Sequence, residues 1–251
     1  MDLLRMPGID AADAVVTRRH GGVSAGPYES LNLSMSVGDD PGAVLENRRR
    51  LAEAFQAAPG DFVFARQVHG TGVAVVDAQD RGRGAFALDD ALADCDALVT
   101  DAPGVVLAIL TADCAPIVLH DPVAGVLACV HSGWRGTAAG VAAAAVAAMT
   151  KLGADPAGTI ASIGPVIDPA RYQVGEDVHD AFGGRFTRPD PGAPGRWLFD
   201  LRAANRQVLR DAGLTEGNIH VTDAATGGAF FSDRAQRPCG RLALAARLRT
   251  A

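Results

Sequence analysis

Two apolar runs joined by a turn constrain this chain more than any other feature. Ile117–His120 and Gly125–Val130 both read as strands, and Asp121-Pro122-Val123-Ala124-Gly125 supplies the turn residues between them. In an antiparallel hairpin the paired residue numbers share a constant sum. Setting Cys114 opposite His131 centres the turn between Pro122 and Val123, where the turn residues lie. The spacing therefore predicts Cys114 and His131 as cross-strand neighbours, with Cβ atoms about 4.5–5.5 Å apart. A bulge at Pro116 would blur that register without separating the two side chains.

Other elements surround the hairpin. Val15–Thr17, Phe62–Val68, Val73–Asp77, Ala97–Thr100, Val105–Thr111, Ile160–Ile163 and Ile219–Val221 read as strands. Asp39-Asp40-Pro41 opens a helix in which Val44, Leu45, Arg48, Leu51, Ala52 and Phe55 recur at helical spacing until Pro59-Gly60. Gly136–Leu152 is nearly all alanine and valine and predicts one buried helix. Asp177–Phe182 predicts a short helix, Leu201–Gly213 a helix with a glycine stop, and Arg241–Leu248 a terminal helix or strand. Residues 78–95 and 183–196 read as loops. With no repeat and no long linker, residues 1–251 are expected to form a single domain, α+β or α/β with mixed sheets.

Composition excludes several function classes. There are 23 Lys+Arg against 29 Asp+Glu, a net charge of −6, which argues against nucleic acid as a partner. No run is long and apolar enough to span a membrane, and no signal peptide is read at the N-terminus, so a cytoplasmic location is expected. Lys151 is the one lysine, so a phosphate-binding loop ending in Gly-Lys-Ser/Thr is absent. The cysteines Cys95, Cys114, Cys129 and Cys239 form no C-x-x-C pair, which removes zinc ribbons and thioredoxin-type redox sites.

A cysteine beside a histidine suits two chemistries. One is a Cys–His nucleophile pair, with Cys114 attacking and His131 as base. The other is a metal site, because zinc accepts thiolate and imidazole and catalytic zinc keeps an open position. A third ligand is then required. His69 is the candidate, at the end of a strand and followed by Gly70, where the backbone can turn away. Asp113 would point to the opposite strand face and is expected to orient a histidine rather than ligate. His120, His179 and His220 receive no role.

At this point the sequence resembles a known family. The blocks are Arg19–Ser24, Ser30-Leu31-Asn32-Leu33, Val37–Asp40, Glu46-Asn47-Arg48, Gln67–Thr71, Asp96–Thr100, Thr111–Pro116, His131–Gly136, Ile163-Gly164-Pro165, Tyr172–Gly175 and Phe230-Phe231-Ser232. The family was once labelled polyphenol-oxidase laccase and is described as purine nucleoside phosphorylases with adenosine deaminase and methylthioadenosine phosphorylase activity. The resemblance implies a single α+β domain with mixed β-sheets packed between helices, in αββα-like layers. It also implies zinc on His69, Cys114 and His131, the three residues reached above. Three positions depart from the family pattern. Gln173 stands where an acid is usual, Ala225-Thr226 where a Cys-Thr pair is common, and Asp233-Arg234-Ala235 where Tyr-Arg-Arg is usual.

The expected reactions are phosphorolysis of adenosine, inosine, guanosine or methylthioadenosine, and deamination of adenosine to inosine. Phosphate needs fixed cations, for which Arg48, Arg66 and Arg135 are candidates, Arg48 first because it belongs to a family block. Asn32 is a candidate for hydrogen bonding to ribose or base, and Asp113 for carrying a proton. The protein is expected to be a monomer or homodimer. Copper is disfavoured: the chain has six histidines and no His-x-His pair, and Met1, Met6, Met35 and Met149 lie far from the ligands in sequence, leaving no local axial methionine. Competing readings are a Cys–His hydrolase, a copper-dependent polyphenol oxidase and a non-catalytic partner protein.

Overall fold

Side-chain alternation along the strands decides the layering of this molecule. The computed structural model describes residues 1–249, and these form three sheets and five α-helices. The first sheet contains β1 (Leu3–Arg5), β2 (Ala12–Thr17), β3 (Phe62–Arg66), β5 (Leu92–Ala93), β7 (Val106–Thr111) and β15 (Leu242–Leu248), in the order β1-β2-β15-β7-β3-β5. The second contains β4 (Val73–Val75), β6 (Ala97–Thr100), β8 (Ala115–Asp121), β9 (Val126–Ser132), β10 (Ile160–Ile163) and β14 (Ile219–Val221), in the order β14-β10-β8-β9-β6-β4. A small sheet pairs β11 (Gln173–Val174), β13 (Trp197–Phe199) and β12 (Thr187–Pro189) in that order.

On β8 and β9, Ile117, Leu119, Ala128 and Val130 face one way and pack with Val141, Ala145, Met149 and Leu209, which lie on α3 (Val141–Lys151) and α5 (Leu201–Asp211). Val118, Leu127 and Cys129 face the other way, onto Leu107, Ile109 and Leu244 of the first sheet. The far side of the first sheet, with Phe62, Phe64 and Val106, packs on Leu51, Ala52 and Phe55 at α1 (Pro41–Ala54). The layers are therefore helix, sheet, sheet, helix, as the resemblance implied. Strands buried on both faces read as continuous apolar runs, which is why periodicity alone marks them weakly. Each fully buried Val, Leu or Phe contributes about 1.5–3 kcal/mol.

The structure corrects three readings. The segment Gly136–Leu152 is two helices, because Gly140 takes φ +84° and separates α2 (Trp134–Ala139) from α3. The stretches read as loops contain the short strands β5 and β12, while of the two alternatives for Arg241–Leu248 the strand, β15, is the one found. The hairpin register is shifted by two residues: Pro116 pairs with His131 and Ala115 with Ser132. The turn needs two residues more on its C-terminal side because Asp121 folds it, accepting the N–H groups of Val123 at 2.8 Å and Ala124 at 3.0 Å. A slip of two keeps every side chain on its predicted face, so the proximity of Cys114 and His131 survives.

Candidate metal centre

His69, Cys114 and His131 come from three different stretches of chain, and their ligand atoms lie within 4.8 Å of one another. Cys114 sits in the short crossing from β7 in the first sheet to β8 in the second. The Thr111 hydroxyl donates to the Cys114 carbonyl at 2.5 Å and tightens that crossing. His131 lies near the end of β9, in the second sheet. His69 follows β3, in the first. The Gln67 amide donates to the Leu110 carbonyl and accepts the Leu110 N–H, both at 2.7 Å, so a side chain continues the pairing of β3 with β7 after the strand has ended. The backbone then turns over, with His69 at φ +60°.

One carboxylate locks this turn. Asp96 is fully buried and accepts the N–H groups of Val68 at 3.2 Å, His69 at 3.0 Å and Gly70 at 2.7 Å. It also meets His131 Nδ1 at 2.8 Å. With Nδ1 donating to Asp96, Nε2 is the His131 atom free for a metal. Burial pushes the Asp96 carboxyl up, but His131 and the Gly70 and Val68 N–H groups outweigh it and hold the pKa below its ordinary value. Asp96, and not Asp113, is therefore the histidine orienter. In sequence Asp96 stood just before a strand and in a family block, but only the sheet order brings it to the His131 ring and the His69 backbone.

The electrostatics favour ligation. Burial pushes the Cys114 thiol up, but the neighbouring His131 and His69 imidazoles bring it well below its ordinary value. Burial pulls the pKa of His131 down, but the Cys114 thiolate and Asp96 outweigh it and raise it above its ordinary value. Burial drives Cys95, Cys129 and Cys239 the opposite way, so these three behave as small buried hydrophobes. Gly133 makes room for the group: a Cβ there would lie 2.9 Å from Cys114 Sγ and 3.1 Å from His69 Cδ2. Two imidazoles and a thiolate of this geometry could bind a metal and leave one position open.

The triangle faces a cavity of about 990 Å³ whose wall carries Arg48, Arg66, Arg135, Arg196, Arg234, Arg237 and Arg241. The acidic net charge concealed this concentration of arginine. Of the predicted cations, Arg135 stacks on Trp134 at 4.3 Å and Arg66 pairs with Asp94 at 3.2 Å. Arg48 is buried, and its Nε and Nη1 donate to the carbonyls of Leu33, Gly84 and Ala85. Its first role is to tie the 84–91 loop to α1; Nη2 has no hydrogen-bond partner among the described residues. Asn32 does not line the cavity. Its amide is consumed by the Ser34 carbonyl, Asp39, and the N–H groups of Ser34 and Arg241. The polar amide of that block serves the fold and is fully buried, against the expected contact to ribose or base. Tyr172, missed by the residue reading, lines the cavity, and burial pushes its phenol up. Met35 lines the same cavity, so distance in sequence was no argument against a methionine near the site.

Fold and centre together define a class, and comparison with known proteins agrees. Residues 13–249 match the family described as multi-copper polyphenol oxidoreductase laccase, and the chain belongs to it. It is 43% identical over 240 residues to a purine nucleoside phosphorylase of Deinococcus radiodurans, covering 93% of this chain and 87% of that protein. It is 39% identical to the purine nucleoside phosphorylase YlmD of Geobacillus stearothermophilus, covering 92% and 88%. The crystal structure of that organism's YlmD superposes with a TM-score of 0.94 at 37% identity, covering 100% of this chain and 97% of the other. No helix among the described residues is long and apolar enough to cross a membrane.

Proposed function

We propose that this protein is a zinc-dependent purine nucleoside phosphorylase that also deaminates adenosine to inosine. The observation that carries the reading is a His-Cys-His triangle opening onto an arginine-lined cavity. The proposed substrates are adenosine, inosine, guanosine and methylthioadenosine, with inorganic phosphate as the second substrate. Zinc bound by His69, Cys114 and His131 supplies Lewis acidity, the property that deamination at C6 of adenine draws on.

The chain's own residues do the rest. Guanidinium groups match phosphate oxygens as paired donors, and Arg135, Arg66, the free Nη2 of Arg48 and Arg234 on the same cavity are the proposed phosphate contacts. They would hold phosphate for attack on the ribose anomeric carbon while the bond to the base breaks, through an oxocarbenium-like transition state. Asp96 fixes the His131 ring so that the ligand set needs no rearrangement. Tyr172 and Trp134 narrow the cavity and limit water.

The test is to incubate the purified, metal-loaded protein with adenosine, with and without phosphate. Adenine and ribose 1-phosphate are expected only with phosphate, and inosine in both cases. No product under either condition overturns the reading. Metal analysis separates the remaining alternative. The family description and Met35 on the cavity wall favour copper as the second reading; copper in the isolated protein together with phenol oxidation would establish it.

A further inference from the structure

We infer that Asp113 is a positioning residue for the anion-binding wall of the cavity, acting through the segment from Thr226 to Arg237. The inference rests on the phosphate-using reading above. Asp113 is 9% exposed, and its carboxylate gathers donors from that one segment. It accepts the Thr226 hydroxyl, the Ser232 hydroxyl at 2.7 Å and the Arg234 N–H at 2.6 Å. The Asp113 carbonyl accepts the Ile167 N–H at 3.1 Å, and the Thr226 N–H donates to the Val166 carbonyl at 3.1 Å, so the anchor is fastened at both ends.

What the anchored segment carries is charge. Arg234 lies over the Tyr172 ring at 5.3 Å and donates to the Gln173 carbonyl at 2.8 Å. Asp233, one of the departures from the family pattern, is gripped by Arg237 at 2.6 Å and Arg241 at 3.0 Å. All three arginines line the cavity. The clamp and the metal site also share a backbone constraint. Asp113 holds φ +88°, a conformation that non-glycine residues rarely adopt. At that bend consecutive side chains diverge, Cys114 to the metal triangle and Asp113 to the arginine segment. One kink thereby sets the metal and the anion wall relative to each other. Asp113 has no hydrogen bond to either ligand histidine, so its proposed work is on the anion and not on the metal.

The experiment measures inorganic phosphate twice, by KM in nucleoside cleavage and by calorimetric binding to the metal-loaded protein. Replacing Ser232→Ala together with Thr226→Val removes two donors and leaves Asp113 and the metal ligands in place. The expected result is a phosphate KM and dissociation constant raised about tenfold or more, with bound metal at the wild-type ratio. Arg234→Gln, on the exposed rim, serves if the double variant does not fold and is expected to weaken phosphate in the same way. Combining the changes should give less than the sum of their effects, because the clamp acts through Arg234. Unchanged phosphate affinity in Arg234→Gln, or no phosphate binding by the wild-type protein, overturns the inference. So does metal loss in the folded Ser232/Thr226 variant. Phosphate binding without nucleoside cleavage overturns the functional reading instead, and the clamp is then decided on binding alone.

Discussion

The β8–β9 hairpin holds His120 and Asp121 at its turn end, and His131, with Asp96 behind it, at its open end. At the turn end Asp121 spends its carboxylate on backbone, accepting from Val123 at 2.8 Å, Ala124 at 3.0 Å and Asp155 at 2.7 Å. His120 is buried beside it, and its Nδ1 has no partner among the described residues. Burial lowers the His120 pKa against the opposing pull of Asp121. At the open end Asp96 also collects three backbone N–H groups, yet its Oδ1, which accepts the His69 N–H, meets an imidazole as well, and the His131 pKa moves up. The residue types are the same at both ends. Two things differ: the stretch after β3 and the β7–β8 crossing deliver His69 and Cys114 to the open end, and a cavity opens there. Convergence, and not the Asp–His pair itself, makes a site.

Four changes probe that contrast. The largest effect is expected from Cys114→Ala, which removes the anionic ligand: bound metal is lost and adenosine turnover falls about a thousandfold, the scale of several kcal/mol of Lewis-acid stabilisation. Full metal retention in that variant would refute ligation by Cys114. Next, Asp96→Asn frees the His131 ring and puts a donor where N–H groups converge. Metal affinity, measured by competition with a chelator, is expected to fall about 10- to 100-fold.

At the turn end the expected effects are on stability alone. Asp121→Ala strands three N–H groups and should cost about 2 kcal/mol in denaturant unfolding, with metal content unchanged. A change in metal affinity would show that the two ends are coupled. The smallest effect is expected from His120→Leu. Because burial holds His120 neutral in the fold, the unfolded chain takes up its proton more readily, so wild-type stability declines as pH falls through about 6.5, the ordinary histidine pKa. The leucine variant should lose that part of the decline. Its unfolding free energy relative to wild type should rise between pH 8 and pH 5.5, by an amount within about 1 kcal/mol. Parallel curves would mean that His120 does not titrate differently on folding.

How much was legible in advance follows from which interactions are local. The α1 helix was readable because its signals are its own: Pro41 at the start, and Asp40 accepting the Ala43 N–H at 2.7 Å. Proximity of Cys114 to His131 was readable because a hairpin joins neighbours in sequence. The register was not, since the Asp121 turn is completed by backbone geometry that composition does not encode. The break at Gly140 was missed because alanine-rich sequence favours helix on both sides of it. The Asn32 expectation failed for a related reason, as a buried amide satisfied by its own chain looks in sequence like one reserved for a ligand.

By itself, the sequence determined the residue types of the centre, the hairpin that brings two of them near each other, and the αββα layering that the family blocks imply. Tertiary structure alone decided that Asp96 orients His131, that Asp113 turns away from the ligand triangle, and that seven arginines of an acidic chain line one cavity. The physical reason is distance along the chain. Asp96 meets His131 because β6 and β9, remote in sequence, pair within one sheet, and Asp113 meets Ser232 because two distant connecting segments fold against each other; both depend on packing, a sum over many weak contacts that no local pattern records.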